Sequence, residues 1–248
     1  MMLQNRIALV TGAGSGIGQA IALAYAKEGA TVLLLGRTQK KLEETYDRIK
    51  AFKGEASIVL LDLEKELHRI PQLVEGLHKR FGRLDILVNC AGLLGTMTTL
   101  EGYKPVEWEA VFRVNVTAPF FLTRELLPLL GAAPTASIIN VSSSVAHQGR
   151  AFWGGYAASK AALANLTETW AGELTKTQIR INTVNPGGTA TPMRATAFPG
   201  ENPTTLPTPQ EITPVFLYLA SDESKDVRGQ HLKARDWLKW QAEKPKQA

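Results

Sequence analysis

A doubly wound α/β domain, its parallel sheet covered by helices on both faces, is the fold class predicted for this chain of 248 residues. Three observations carry that prediction. Short apolar runs alternate with longer segments of helical length and spacing. The runs are apolar at almost every position, as strands buried on both faces are. A cluster of glycines stands between the first run and the first helical segment.

The first strand is expected at residues 7–10, followed by a glycine turn and a helix on which Ile17, Ile21 and Ala24 share one face. Further strands are expected at 31–35, 57–61, 84–88, 137–141 and 179–184. Between them, 39–53, 66–81, 105–130 and 156–175 have the spacing of helices. Beyond residue 190 the character changes, because 191–214 contains six prolines. Thr208-Pro209-Gln210-Glu211 reads as a helix start, with Thr208 as N-cap and Glu211 closing a capping box, and Pro214 set to kink or restart it. Loops after the carboxyl ends of strands carry lids and selectivity. The organisation expected is therefore a single domain over 1–248, with a proline-rich substrate loop at 191–214 and a basic tail at 233–248.

Composition excludes several function classes. At 44% hydrophobic content, with no apolar run near 18 residues and no leader pattern before the first strand, the chain reads as cytoplasmic, without a membrane partner. Net charge is +5, but residues 228–248 hold six Lys/Arg against two acids, which leaves the body nearly neutral. That distribution argues against a nucleic-acid partner. Cys90 has no second cysteine to pair with and reads as a small buried filler. The histidines at 68, 78, 147 and 231 lack partners at ligand spacing, so no metal is expected.

Chemistry concentrates in two places. Strand, turn and helix start in Ile-Ala-Leu-Val-Thr-Gly-Ala-Gly-Ser-Gly-Ile-Gly make an anion site, where glycines admit a pyrophosphate to the backbone and the helix dipole favours its charge. The spacing is Thr11-Gly12-x-x-x-Gly16-x-Gly18 rather than G-x-G-x-x-G. After the second strand stand Arg37 and Thr38, where an acid would hold a ribose 2′-hydroxyl, so NADP(H) is preferred, with NAD(H) as the secondary cofactor. Elsewhere, Tyr156 and Lys160 lie four apart on one helical face, with Ser143 thirteen residues upstream. A nearby ammonium is expected to acidify the phenol; lowering its pKa of about 10 by ~3 units takes about 4 kcal/mol. That trio fits proton transfer to a carbonyl oxygen.

Together these blocks resemble the short-chain dehydrogenase/reductase family over residues 5 to 232, and within it the bacterial YciK-type branch, on Leu93-Leu94-Gly95, Ser142-Ser143-Ser144-Val145, Gln148-Gly149-Arg150-Ala151 and Asn185-Pro186-Gly187-Gly188-Thr189. The resemblance implies a Rossmann fold, a carbonyl or alcohol substrate of small size, and a homodimer or homotetramer formed through the Ala-rich helix after Tyr156. It implies a tetrad of Asn115, Ser143, Tyr156 and Lys160, with Ser142 and Ser144 as competitors for the serine role. Cofactor contacts are implied for Gly12, Ser15, Gly16, Ile17 and Gly18 in the turn, for Asp62 and Leu63 after the third strand, and for Asn89, Ala91 and Gly92. Tyr156, Lys160, Pro186, Gly187, Thr189 and Thr191 are implied on the nicotinamide side. Substrate walls are expected from Leu93, Leu94, His147, Gln148, Arg150, Phe152, Trp153, Met193 and Phe198, with Arg150 or Arg194 meeting a negative group.

Two departures from the family pattern stand out. Ser15 replaces a basic residue frequent in NADP-dependent members. After Gly229-Gln230 the chain reads His231-Leu232-Lys233-Ala234-Arg235-Asp236-Trp237, with Trp237 and Trp240 able to form one apolar stripe. A cofactor-binding regulator without turnover is the alternative function; it leaves the tetrad without a purpose.

Overall fold

The computed structural model describes residues 1–238. Its sheet has seven strands, all parallel: β1 (Ile7–Thr11), β2 (Thr31–Gly36), β3 (Glu55–Leu60), β4 (Ile86–Asn89), β5 (Ala136–Val141), β6 (Ile179–Asn185) and β7 (His231–Lys233). The order is β3-β2-β1-β4-β5-β6-β7. Each central strand divides its apolar residues between two cores. Ala8 and Val10 of β1, Val32 and Leu34 of β2, and Ile86 and Val88 of β4 face α1 (Gly16–Lys27), α2 (Gln39–Ala51) and α8 (Pro214–Ala220). Leu9, Leu33, Leu35 and Leu87 face α3 (Ile70–Phe81), α5 (Ala118–Gly131) and α6 (Gly154–Glu173). This two-sided burial is why the strands read as unbroken apolar runs. Strand order reverses between β1 and β4, which opens a crevice at their carboxyl ends.

Three local expectations change. The helix expected over 105–130 is interrupted: α4 (Pro105–Phe112) passes into a π-helical turn, Arg113–Thr117, before α5. The Thr208 capping box forms, with Glu211 Oε2 accepting from Thr208 N at 2.7 Å and from its hydroxyl at 2.8 Å, yet it closes only a turn. The helix begins at Pro214, which needs no amide donor at that position. Finally, the tail is folded at its start. His231–Lys233 adds β7 beside β6, a 3₁₀ turn follows at Ala234–Trp237, and Trp237 packs on Tyr218 with ring centroids 4.4 Å apart. Trp240 and the rest of the basic tail lie outside the described residues.

The short α7 (Pro192–Ala197) lies within the proline-rich loop, where the Thr191 hydroxyl caps it by accepting from Arg194 N at 3.1 Å. A buried polar tie joins α1 to α8: Tyr25, fully buried, donates its hydroxyl to the Phe216 carbonyl at 3.0 Å. Replacing Tyr25 by Phe removes this one bond. The expected loss is about 0.5–1.5 kcal/mol, read as a lower urea midpoint with an unchanged slope; a variant as stable as the parent would show that the tie contributes nothing.

Candidate active site

The crevice holds one trough with two ends. The outer part, about 250 Å³, is lined by Gly12, Ser15, Arg37, Thr38, Asp62, Leu63, Ala91 and Gly92 among others. The inner part, about 200 Å³, is lined by Gly16, Ile17, Gly18, Tyr156, Lys160, Pro186 and Thr191. Gly12, Ser15, Ala91 and Gly92 belong to both. Backbone proximity explains the glycines: a Cβ on Gly18 would stand 2.3 Å from the Gly12 carbonyl oxygen, and Gly12 itself has φ +68°. The Thr11 hydroxyl locks the turn against β4, accepting from the amides of Cys90 and Ala91 at 2.9 Å each. The floor where a dinucleotide backbone would lie is therefore held by the close glycine approach and the Thr11 hydroxyl, and its lining of glycines and amides suits such a ligand.

At the outer end Arg37 is half-exposed and pairs with Glu64 at 3.3 Å. A surface pair of this kind contributes about 0–1 kcal/mol and yields readily to a phosphate. Lys41 lines the same end and packs on the turn, its Cβ 2.9 Å from where a Gly14 Cβ would be. The sequence reading did not single out Lys41. Its signal was a cation one turn into the helix after Arg37 and Thr38, and it offsets the absence of a basic residue at Ser15.

Not every expected contact lines the trough. Asn89 is buried and donates to Asn140 Oδ1 at 2.8 Å, tying β4 to β5. Thr189 is buried with its hydroxyl on the Pro186 carbonyl at 3.3 Å, and Gly187, at φ +70°, turns the loop beneath the Arg235 side chain. These residues shape the loop from behind.

At the inner end α6 carries Tyr156 and Lys160 on one face. Lys160 is buried, donates from Nζ to the Val141 carbonyl at 2.8 Å, and sits 5.6 Å from the centre of the Tyr156 ring. The expected acidification of the phenol is reversed here. Burial pushes Tyr156 up to about 12, opposed by a hydrogen bond from Ser143, and burial pushes Lys160 down to about 8. Desolvation is the largest cause of both shifts. Of the three serines, Ser143 is the one whose side chain meets the phenol. Ser142 is buried with its hydroxyl unpartnered, and Ser144 is exposed at the start of a 3₁₀ turn. Cys90 is pushed up to about 12 by burial, as an inert filler thiol would be.

Asn115 occupies the π turn and is buried. Its Oδ1 accepts from Leu93 N at 2.8 Å, and its Nδ2 donates to the Leu93 carbonyl and to Ser159 Oγ, both at 2.9 Å. The extra residue of the π turn aims this amide across to α6, a role such turns often serve at functional sites. Among the described residues no His/Cys/Asp/Glu group could hold a metal ion, and no helix is long and apolar enough to cross a membrane.

The Lys160 shift fixes the sign of one pH dependence. Between about 8 and the ordinary value of 10.5 the folded chain has released this proton while the unfolded chain retains it. The Lys160 contribution to stability therefore rises with pH across that window and is lost as pH falls through 8, while the raised Cys90 thiol opposes it above pH 9. In urea titrations at pH 7.5, 8.0, 8.5 and 9.0 the stability of the parent relative to Lys160→Met should increase with pH; parallel profiles would refute the assignment.

The family model for short chain dehydrogenases matches residues 6–202. The uncharacterized oxidoreductase YciK of Escherichia coli is 43% identical over 230 residues, covering 92% of this chain and 91% of that protein. Two solved structures align over 94% of this chain and 98% of their own, each with a TM-score of 0.91: a short chain dehydrogenase of Shigella flexneri complexed with NADP, 41% identical, and one of Escherichia coli complexed with NADPH, 42% identical. With the family model spanning most of the chain and these identities extending over nine-tenths of it, the chain belongs to the short-chain dehydrogenase family.

Proposed function

We propose that this chain is an NADP(H)-dependent oxidoreductase that interconverts a carbonyl group and an alcohol on a small molecule, with Tyr156 as general acid and base. One observation carries the reading: Tyr156 and Lys160 line one end of the same trough whose other end is flanked by Arg37 and Lys41. Arg37 and Lys41 supply the two cations that suit a ribose 2′-phosphate, and Thr38 adds a hydroxyl. The relatives crystallised with NADP or NADPH support the same nucleotide.

The nicotinamide cofactor, when bound, supplies or accepts the hydride. Tyr156 gives its phenolic proton to the carbonyl oxygen during reduction and takes it back during oxidation. With its phenol pushed up to about 12, Tyr156 carries its proton at neutral pH, the form that donates when a carbonyl is reduced. Ser143 hydrogen-bonds the reacting oxygen and sets its direction. Lys160 binds the ribose hydroxyls beside the nicotinamide and keeps a positive charge near the phenol. Asn115, engaged with Leu93 and Ser159, positions the loop and helix that hold the other three.

Two measurements test this. Tyr156→Phe should lower turnover by roughly 10²–10⁴ in assays of NADPH consumption with ketones, aldehydes and acyl thioesters; turnover at the parent rate would falsify the acid–base role. Arg37→Asp should raise KM for NADPH much more than for NADH, and Lys41→Ala should shift it in the same direction. Equal effects on both nucleotides would remove the 2′-phosphate assignment.

A further inference from the structure

Three arginines surround the catalytic end, and their surroundings set them apart. Arg194 is neutralised: its Nε and a terminal nitrogen reach the two carboxylate oxygens of Glu201 at 2.6 and 2.7 Å, and its guanidinium lies 3.6 Å from the centre of Phe198. Arg235 donates to the Gly188 carbonyl at 2.7 Å. Arg150 is exposed and has no carboxylate partner among the described residues. Its guanidinium rests instead on two aromatic rings, 5.7 Å from the centre of Trp153 and 5.0 Å from that of Phe198.

Those rings lead to the reacting end. Trp153 and Phe198 are 5.5 Å apart, and Trp153 meets Tyr156 edge-on at 5.8 Å. The turn carrying Arg150 and Trp153 is closed by a hydrogen bond from Trp153 N to the Arg150 carbonyl at 3.2 Å. Between them Phe152 adopts φ +71°, a conformation bulky residues avoid and functional loops tolerate. Stacking on a ring fixes the guanidinium plane and leaves its N–H edge free to fork onto a carboxylate. Among the described residues Glu201 is the carboxylate paired with these arginines, and Arg194 holds it, so the local charge stays positive.

We propose that Arg150, Trp153 and Phe198 form the substrate-recognition subsite: a carbonyl compound with a flat apolar body lies along the two rings and its carboxylate pairs with Arg150. The inference rests on the oxidoreductase reading of the same site. Guanidinium and Tyr156 ring each stand one contact from Trp153, at 5.7 and 5.8 Å, which suits an aryl ketone whose ring separates its carbonyl from its carboxylate. Arg194, the other cation within reach of Phe198, does not serve, because an incoming carboxylate would have to displace Glu201.

The probes are 4-acetylbenzoate, whose ring separates ketone from carboxylate, and its methyl ester, tested by calorimetric binding to NADP⁺-loaded protein and, separately, by NADPH consumption. The acid should bind at least tenfold more tightly than the ester, and Arg150→Ala should lower the acid's affinity at least tenfold more than the ester's. Arg150→Lys should recover part of the difference. Equal binding of acid and ester, failure of both to bind, or equal losses in Arg150→Ala would overturn the subsite. Acid-selective binding without turnover of either probe would support the subsite and count against the reductase reading. Turnover of both probes with equal constants would do the reverse.

Discussion

An ammonium held out of water at the carboxyl end of β5 is the constraint on which this site is built. Lys160 keeps one hydrogen bond, to the Val141 carbonyl, and burial pushes it down to about 8. A cation in that position costs free energy unless partners surround it, and the neighbouring chain is shaped accordingly. Gly92 lies against this charge, its Cβ position 3.8 Å from Nζ and 3.4 Å from Asn115 Oδ1. The Asn115 amide bridges Leu93 to Ser159, and Ser159 donates to the Tyr156 carbonyl at 2.7 Å. Beside the buried charge, these polar contacts tie the segment after β4 and the π turn to the first turn of α6, the turn that carries Tyr156.

The same economy of position applies at the cofactor turn. Gly18 must be glycine because α1 begins in contact with the Gly12 carbonyl, and Thr11 holds the opposite wall through two amides. Between the glycine turn at one end and the buried Tyr156–Lys160 pair at the other, the proline-rich segment closes one side of the trough through Thr191, Pro192 and Met193. Its α7 packs on the glycine turn, where the Thr191 methyl lies 3.4 Å from a Cβ position on Gly16.

How far the sequence foretold this depends on which interaction governs each element. Strands β1, β2 and β4 were legible because both their faces are buried, so that Leu9 and Val10, or Leu33 and Leu34, enter different cores and still read as one apolar run. Strand β7 was not, because His231 and Lys233 are exposed at the sheet edge and only Leu232 packs inward. The π turn at Arg113–Thr117 has no periodicity signal of its own, since it adds a single residue to an otherwise helical pattern. Four residues of spacing placed Tyr156 beside Lys160, but the direction of their proton affinities followed from burial, which spacing does not encode. At Thr208 the local capping chemistry was read properly, and tertiary packing of Val215, Phe216 and Leu219 moved the helix start to Pro214.

The hydrogen bond from Arg235 to the Gly188 carbonyl makes the last described stretch of the chain a brace for the loop at the reacting end. Arg235 also covers Gly187, whose left-handed turn carries that loop past the pocket wall. Cutting the chain ahead of Arg235 would therefore loosen a loop almost fifty residues upstream in sequence, although no residue of that loop is altered.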